Sequence, residues 1–159
     1  MELLEEIVGQ ALLQKGWEIA CAESCTGGLL TSRLTDVAGS SVYVKGSIVA
    51  YSNEIKARLV GVSEETLRAY GAVSRQTAAE MSEGVRRTVG TDVGVGITGI
   101  AGPGGGTAEK PVGLVYISVS GHDGTVVQEH HFLGSRAEIK RQSAEHALSM
   151  INHYIRRSQ

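Results

Sequence analysis

The chain has 159 residues, 42% of them hydrophobic and 20% charged, with a formal net charge of −2. That length suits one domain with a proper core, and without a long basic run the charge argues against a nucleic-acid binder. Two cysteines do not make a disulfide framework; no apolar run approaches the roughly 20 residues of a membrane span, and the acidic amphipathic start is unlike a signal peptide, so a cytoplasmic protein is expected.

Leu3, Leu4, Ile7, Val8, Ala11 and Leu12 recur at helical spacing, so residues 2–15 read as a helix that Gly16 ends. A strand is expected at about 17–22, then a turn at Ser24 and a helix to about Asp36. After the Gly39-Ser40-Ser41 turn, residues 42–51 are rich in Val, Ile and Tyr and read as a β segment. A short helix follows over 53–60. Ser63 and Ser74 are N-caps of two further helices, ending near Gly71 and Gly90. Residues 91–99 form a glycine-rich strand, and a loop of glycine, proline and acid runs from Gly102 to Lys110. Two strands, 112–120 and 125–132, are joined as a hairpin by Gly121-His122-Asp123-Gly124, and a long helix occupies 136–156. This order predicts a single α/β domain over residues 1–159, a three-layer α/β/α sandwich with a mixed sheet.

The stretch Ala22-Glu23-Ser24-Cys25-Thr26-Gly27-Gly28 places a hydroxyl and a thiol where a strand turns into a helix. Unpaired N–H groups at a helix start suit a nucleophile, an oxyanion or a phosphate. Gly94-Val95-Gly96-Ile97-Thr98-Gly99 has the G-x-G-x-x-G spacing, but its glycines lie within the strand, where they mark close approach of another backbone or a ligand. The Gly102–Thr107 loop is either an anion cradle beside Lys110 or a surface loop. The five histidines have no metal-ligand spacing and no evident pairing with Ser24, so no metal site is expected. Lysine is left as the candidate base. Lys56 falls in the first turn of its helix, where the dipole and burial would lower its pKa; the alternative is an ordinary exposed lysine. Ser52, four residues earlier, is a rival nucleophile or a helix cap.

The chain resembles the CinA C-terminal domain family, whose stand-alone members are nicotinamide mononucleotide deamidases. The matching stretches are the Ala22–Gly28 motif, Ala38-Gly39-Ser40-Ser41, Tyr51-Ser52-Asn53-Glu54 with Lys56, Gly71-Ala72-Val73-Ser74, residues 99–105 and Glu109-Lys110-Pro111-Val112-Gly113. The separate N-terminal domain of full-length CinA proteins has no counterpart in these stretches. The resemblance implies hydrolysis of the carboxamide of nicotinamide mononucleotide to nicotinic acid mononucleotide and ammonia, in NAD recycling, without a cofactor. It implies Ser24 as nucleophile, Lys56 as base, Tyr51 as an active-site tyrosine and Thr98 as a substrate contact; Arg136 matches a looser Gly-x-Arg segment. Backbone around Cys25, Thr26, Gly27 and Gly28 is expected to hold the oxyanion, and Gly99, Gly102 and Arg136 to border the substrate and its phosphate. Tyr51 is otherwise a core tyrosine, and Cys25 is read as packing, because a thiol enzyme usually brings a histidine. The resemblance also implies a homodimer or larger assembly. The alternative is a non-catalytic nucleotide-binding or partner-docking module.

Overall fold

The structure is a computed structural model that describes residues 2–158. Its elements are α1 (Leu4–Lys15), β1 (Ile19–Glu23), α2 (Leu29–Thr35), β2 (Val44–Val49), α3 (Asn53–Val60), α4 (Glu64–Tyr70), α5 (Arg75–Val89), β3 (Val93–Gly99), β4 (Leu114–Gly121), β5 (Gly124–His131) and α6 (Arg136–Arg157). Gly16 ends α1 in the left-handed conformation, and Ser52, Ser63, Ser74 and Ser135 each accept a first-turn amide at their helix starts. The expected β segment over 42–51 is shorter because Ser40–Val42 coils into a 3₁₀ turn.

One five-stranded sheet runs in the order β2-β1-β3-β4-β5. β1 pairs in parallel with β2 and β3, with Cys21 opposite both Ser47 and Val95; β3/β4 and β4/β5 are antiparallel. The sheet is thus mixed, with helices on both faces. On one face Val8, Leu12, Leu30, Leu34, Ile139, Leu148 and Ile151 of α1, α2 and α6 pack on Cys21, Val95, Ile97, Ile117 and Val119. On the other face β1 offers only Ala20 and Ala22, which meet Val60, Met81 and Val85 of α3 and α5.

The glycine-rich strand belongs to this second face. A Cβ on Gly94 would stand 2.2 Å from the Ser82 carbonyl oxygen, and one on Gly96 2.6 Å from that of Ala78. α5 therefore rides directly on the strand backbone, which only glycine permits. The close approach is to a helix, not to a dinucleotide.

This topology fixes the place of any site. From β1 the chain crosses to β2 on one side; from β2 it crosses back to β3 on the other. β1 is the point where the winding reverses, and ligands of open α/β sheets bind outside the carboxyl ends of the strands at such a point. Ser24 directly follows β1, Tyr51 follows β2 closely, and Thr98-Gly99 ends β3.

Candidate active site

The Ser24 turn is held from behind by Glu23, the last residue of β1, which is fully buried. Its carboxylate accepts from the Thr26 hydroxyl at 2.6 Å, the Leu30 amide at 2.9 Å, and the Thr31 amide and hydroxyl at 2.9 and 2.6 Å. This takes the amides of the α2 start itself out of the set available to an anion. α2 begins at Leu29, five residues after Ser24, and its first free amides are already filled by Glu23. Closer to Ser24, the Gly27 amide donates to the Ser24 carbonyl at 3.0 Å, closing a β-turn, and the Ser24 amide donates to Ile97 across the sheet. The Cys25 and Thr26 amides have no protein acceptor among the described residues. Of the four residues expected to hold an oxyanion, Gly27 has thus spent its N–H, and the Thr26 hydroxyl is turned toward Glu23.

Lys56 enters from the opposite wall. It is the fourth residue of α3 and only 2% exposed. Its Nζ donates to Ser24 Oγ at 3.1 Å and to the Tyr51 carbonyl at 3.1 Å. Burial holds its ammonium below the ordinary lysine value of about 10.4. An exposed lysine is therefore ruled out. The Ser52 hydroxyl accepts the Ile55 amide at 3.2 Å, so Ser52 caps α3.

Ser24, Cys25, Tyr51, Lys56, Thr98, Gly99 and Arg136 line a single cavity of about 190 Å³. The core-tyrosine reading of Tyr51 fails, since this side chain is 61% exposed. Its hydroxyl meets Arg136 Nη2 at 3.1 Å, and it is the Tyr51 backbone that holds Lys56. Arg136, the first residue of α6, also donates from Nη1 to the Gly102 carbonyl at 2.7 Å. Gly102 stands behind that contact rather than in the cavity wall, and Thr26, Gly27 and Gly28 are not among the wall residues either. The Thr98 hydroxyl donates to the Ala72 carbonyl at 2.8 Å, fixing the Gly71–Ser74 segment against the site. Sequence reasoning missed Asn53, Ala72, Val73 and Ala101 as wall residues. All four lie inside stretches quoted for the resemblance, and that was their one signal. Lys110 does not serve the glycine loop: its Nζ donates to the Tyr70 carbonyl at 2.5 Å, at the end of α4.

The neighbouring thiol is chemically quiet. Burial, helped by the Glu23 charge, pushes Cys25 up to about 12. None of the five histidines lines the cavity. His130 stacks on Phe132, with ring centroids 5.0 Å apart, and lies 4.8 Å from His146 beside β5. Among the described residues no group of three or more His, Cys, Asp or Glu side chains converges as a metal site. No described helix is long and apolar enough to cross a membrane.

Residues 1–155 match the CinA C-terminal domain family. The chain is 47% identical over 154 residues to a putative competence-damage inducible protein of Desulforamulus reducens, covering 97% of this chain and 37% of that protein. It is 51% identical over 150 residues to one of Moorella thermoacetica, covering 94% and 36%. The chain thus spans little more than a third of the length of these curated relatives. Among solved structures, competence/damage inducible protein CihA of Agrobacterium tumefaciens superposes with a TM-score of 0.92 at 39% identity, covering 99% of this chain and 100% of that one. The competence damage-inducible protein A of Klebsiella pneumoniae superposes with a TM-score of 0.94 at 31% identity, covering 98% and 97%.

Proposed function

The chain belongs to the CinA C-terminal domain family, and from that premise we propose that it is a serine amidohydrolase that deamidates nicotinamide mononucleotide, releasing ammonia and nicotinic acid mononucleotide for NAD recycling. The observation that carries the reading is the buried Ser24 Oγ to Lys56 Nζ contact of 3.1 Å, within the about 2.6–3.2 Å that a nucleophile and its base require. A lysine serves as base only when neutral, and burial favours that form. In the neutral amine one N–H stays on the Tyr51 carbonyl, and the lone pair takes the direction of the N–H that the ammonium donates to Ser24 Oγ, so that the serine hydroxyl becomes the donor.

In this mechanism Lys56 accepts the Ser24 proton as Oγ attacks the carboxamide carbon. The oxyanion draws on the free amides of Cys25 and Thr26. Lys56 returns the proton to the departing nitrogen, ammonia leaves, and an ester on Ser24 remains. Water, deprotonated by Lys56, attacks that ester, and Ser24 recovers its proton as the acid departs. Tyr51 and Arg136 act at the lip of the cavity, where they hold the sugar-phosphate part of the substrate.

The test is ammonia release from nicotinamide mononucleotide by the purified chain. We expect turnover in the native protein and a loss of at least about 10³-fold in Ser24→Ala. Binding of the nucleotide without ammonia release, or a Ser24→Ala variant as fast as the native protein, would leave a nucleotide-binding module instead.

A further inference from the structure

Lys140 lies four residues beyond Arg136 on α6, a spacing that puts both side chains on one helix face. Its Nζ stands 3.6 Å from where a Cβ on Gly27 would be. Gly27 closes the β-turn that begins at Ser24, so the Cα atoms of the two residues are within about 7 Å of each other. The ammonium of the half-buried Lys140 therefore rests over the nucleophile's turn, in space left open by a glycine. Its positive charge is one of those felt at the Cys25 thiol.

This cation has no acid to neutralise it. The Lys140 side chain makes no hydrogen bond or ion pair among the described residues. Glu138 on the same helix binds the Ser135 amide, and Glu145 binds Arg33. Glu23 beneath the turn is spent on α2. The cavity wall itself contains Lys56 and Arg136 and no carboxylate. An unpaired ammonium, a guanidinium with donors to spare and the unused amides of Cys25, Thr26 and Gly28 leave this end of the fold short of negative charge, and a doubly charged phosphate monoester supplies it.

We infer that Lys140 is a specificity-determining residue that, with Arg136, binds the phosphate of a mononucleotide substrate and makes the site reject the corresponding nucleoside. The identity of the substrate rests on the amidase reading; the anion-binding corner does not. A pyridine nucleoside brings only the positive charge of its ring, which Arg136 and Lys140 repel, whereas its phosphate ester brings the counter-charge.

The experiment measures ammonia release from nicotinamide mononucleotide and nicotinamide riboside by the native chain, Lys140→Gln, Lys140→Arg and, as a control for net charge, Arg141→Ala on the exposed side of α6. Lys140→Gln should raise KM for the nucleotide about tenfold or more, with kcat within about twofold and the riboside rate unchanged or improved. Lys140→Arg should retain most of the preference, and Arg141→Ala all of it. Equal effects of Lys140→Gln on both substrates, or none on either, overturn the inference. Should the native chain release no ammonia, the amidase reading fails, and Lys140 is judged by binding of the same two compounds and of inorganic phosphate. A nucleotide preference and phosphate binding that Lys140→Gln removes uphold it; no preference in the native chain sinks it.

Discussion

The turn after β1 and the loop after β3 leave the same end of the sheet and both border Ser24, yet they are built in opposite ways. In the first, Glu23 is buried and bonded to four donors, and Ser24 is tied by its own amide to β3. In the second, residues 103–109 are exposed, and from Ala101 to Gly106 no backbone amide donates to a protein acceptor among the described residues. Its near half is tied down by Arg136, which grips the Gly102 carbonyl; its far end closes on itself between Thr107 and Lys110, and the Lys110 side chain reaches the end of α4. A nucleophile must be held within hydrogen-bond reach of its base, which calls for a turn whose polar atoms are already committed. A loop that only borders the substrate can remain adaptable.

The comparison breaks first at Lys56. Lys56→Met should lower ammonia release by about 10²–10⁴-fold, while thermal stability stays level or rises, because an apolar chain replaces an amine at a buried position. Circular-dichroism melting beside the rate assay separates the two effects. The pH response follows with its sign fixed. Lys56 is depressed in the fold, so between its folded pKa and the ordinary value of about 10.4 the unfolded chain binds the extra proton. Stability therefore rises with pH across that window, and below it the cost of a buried ammonium is fully felt. The rate should rise in the same direction, with a midpoint below the ordinary lysine value; a flat profile would remove Lys56 as base.

The next effect is at Glu23. A carboxamide cannot accept all four donors, so Glu23→Gln should destabilise the fold by on the order of 3 kcal/mol. Since the thiols lose a neighbouring negative charge, Cys25 should also alkylate faster in the still-folded variant. Unchanged melting would show that the turn does not depend on its buried acid. Arg136→Ala strikes the adaptable side. It should raise KM for the nucleotide about tenfold, from the loss of charged hydrogen bonds, and speed proteolysis within 102–110 while leaving the melting temperature almost unmoved. The smallest effect is expected for Cys25→Ala, which should keep kcat within a few-fold; near-total loss would transfer the nucleophile's role to the thiol.

Much of the molecule was legible beforehand for local reasons. Ser52, Ser63, Ser74 and Gly16 punctuate helices through one-turn hydrogen bonds and backbone conformations that depend on neighbouring residues alone. The meeting of Ser24, Lys56, Tyr51, Thr98 and Arg136 was expected from a resemblance, because no local rule links residues so far apart in sequence. Lys140 had no signal at all: its relation to Gly27 exists only once α6 lies across the β1 turn. What becomes of the amides at the helix start was not legible for a similar reason. A strand-turn-helix pattern shows that amides are free, but not that a buried carboxylate one residue before the nucleophile will claim them.

By itself, then, the sequence determined the elements, their caps, the α/β class and the residue types available for chemistry, since each depends on periodicity or on contacts within a few residues. Tertiary structure alone decided that winding reverses at β1, that glycines in β3 admit the α5 backbone, that Lys56 is desolvated against Ser24, that Arg136 reaches the Gly102 carbonyl, and that Lys140 comes to rest beside Gly27. Those outcomes depend on burial and on distances across the fold, and both arise only when the sheet and its two helical layers pack together.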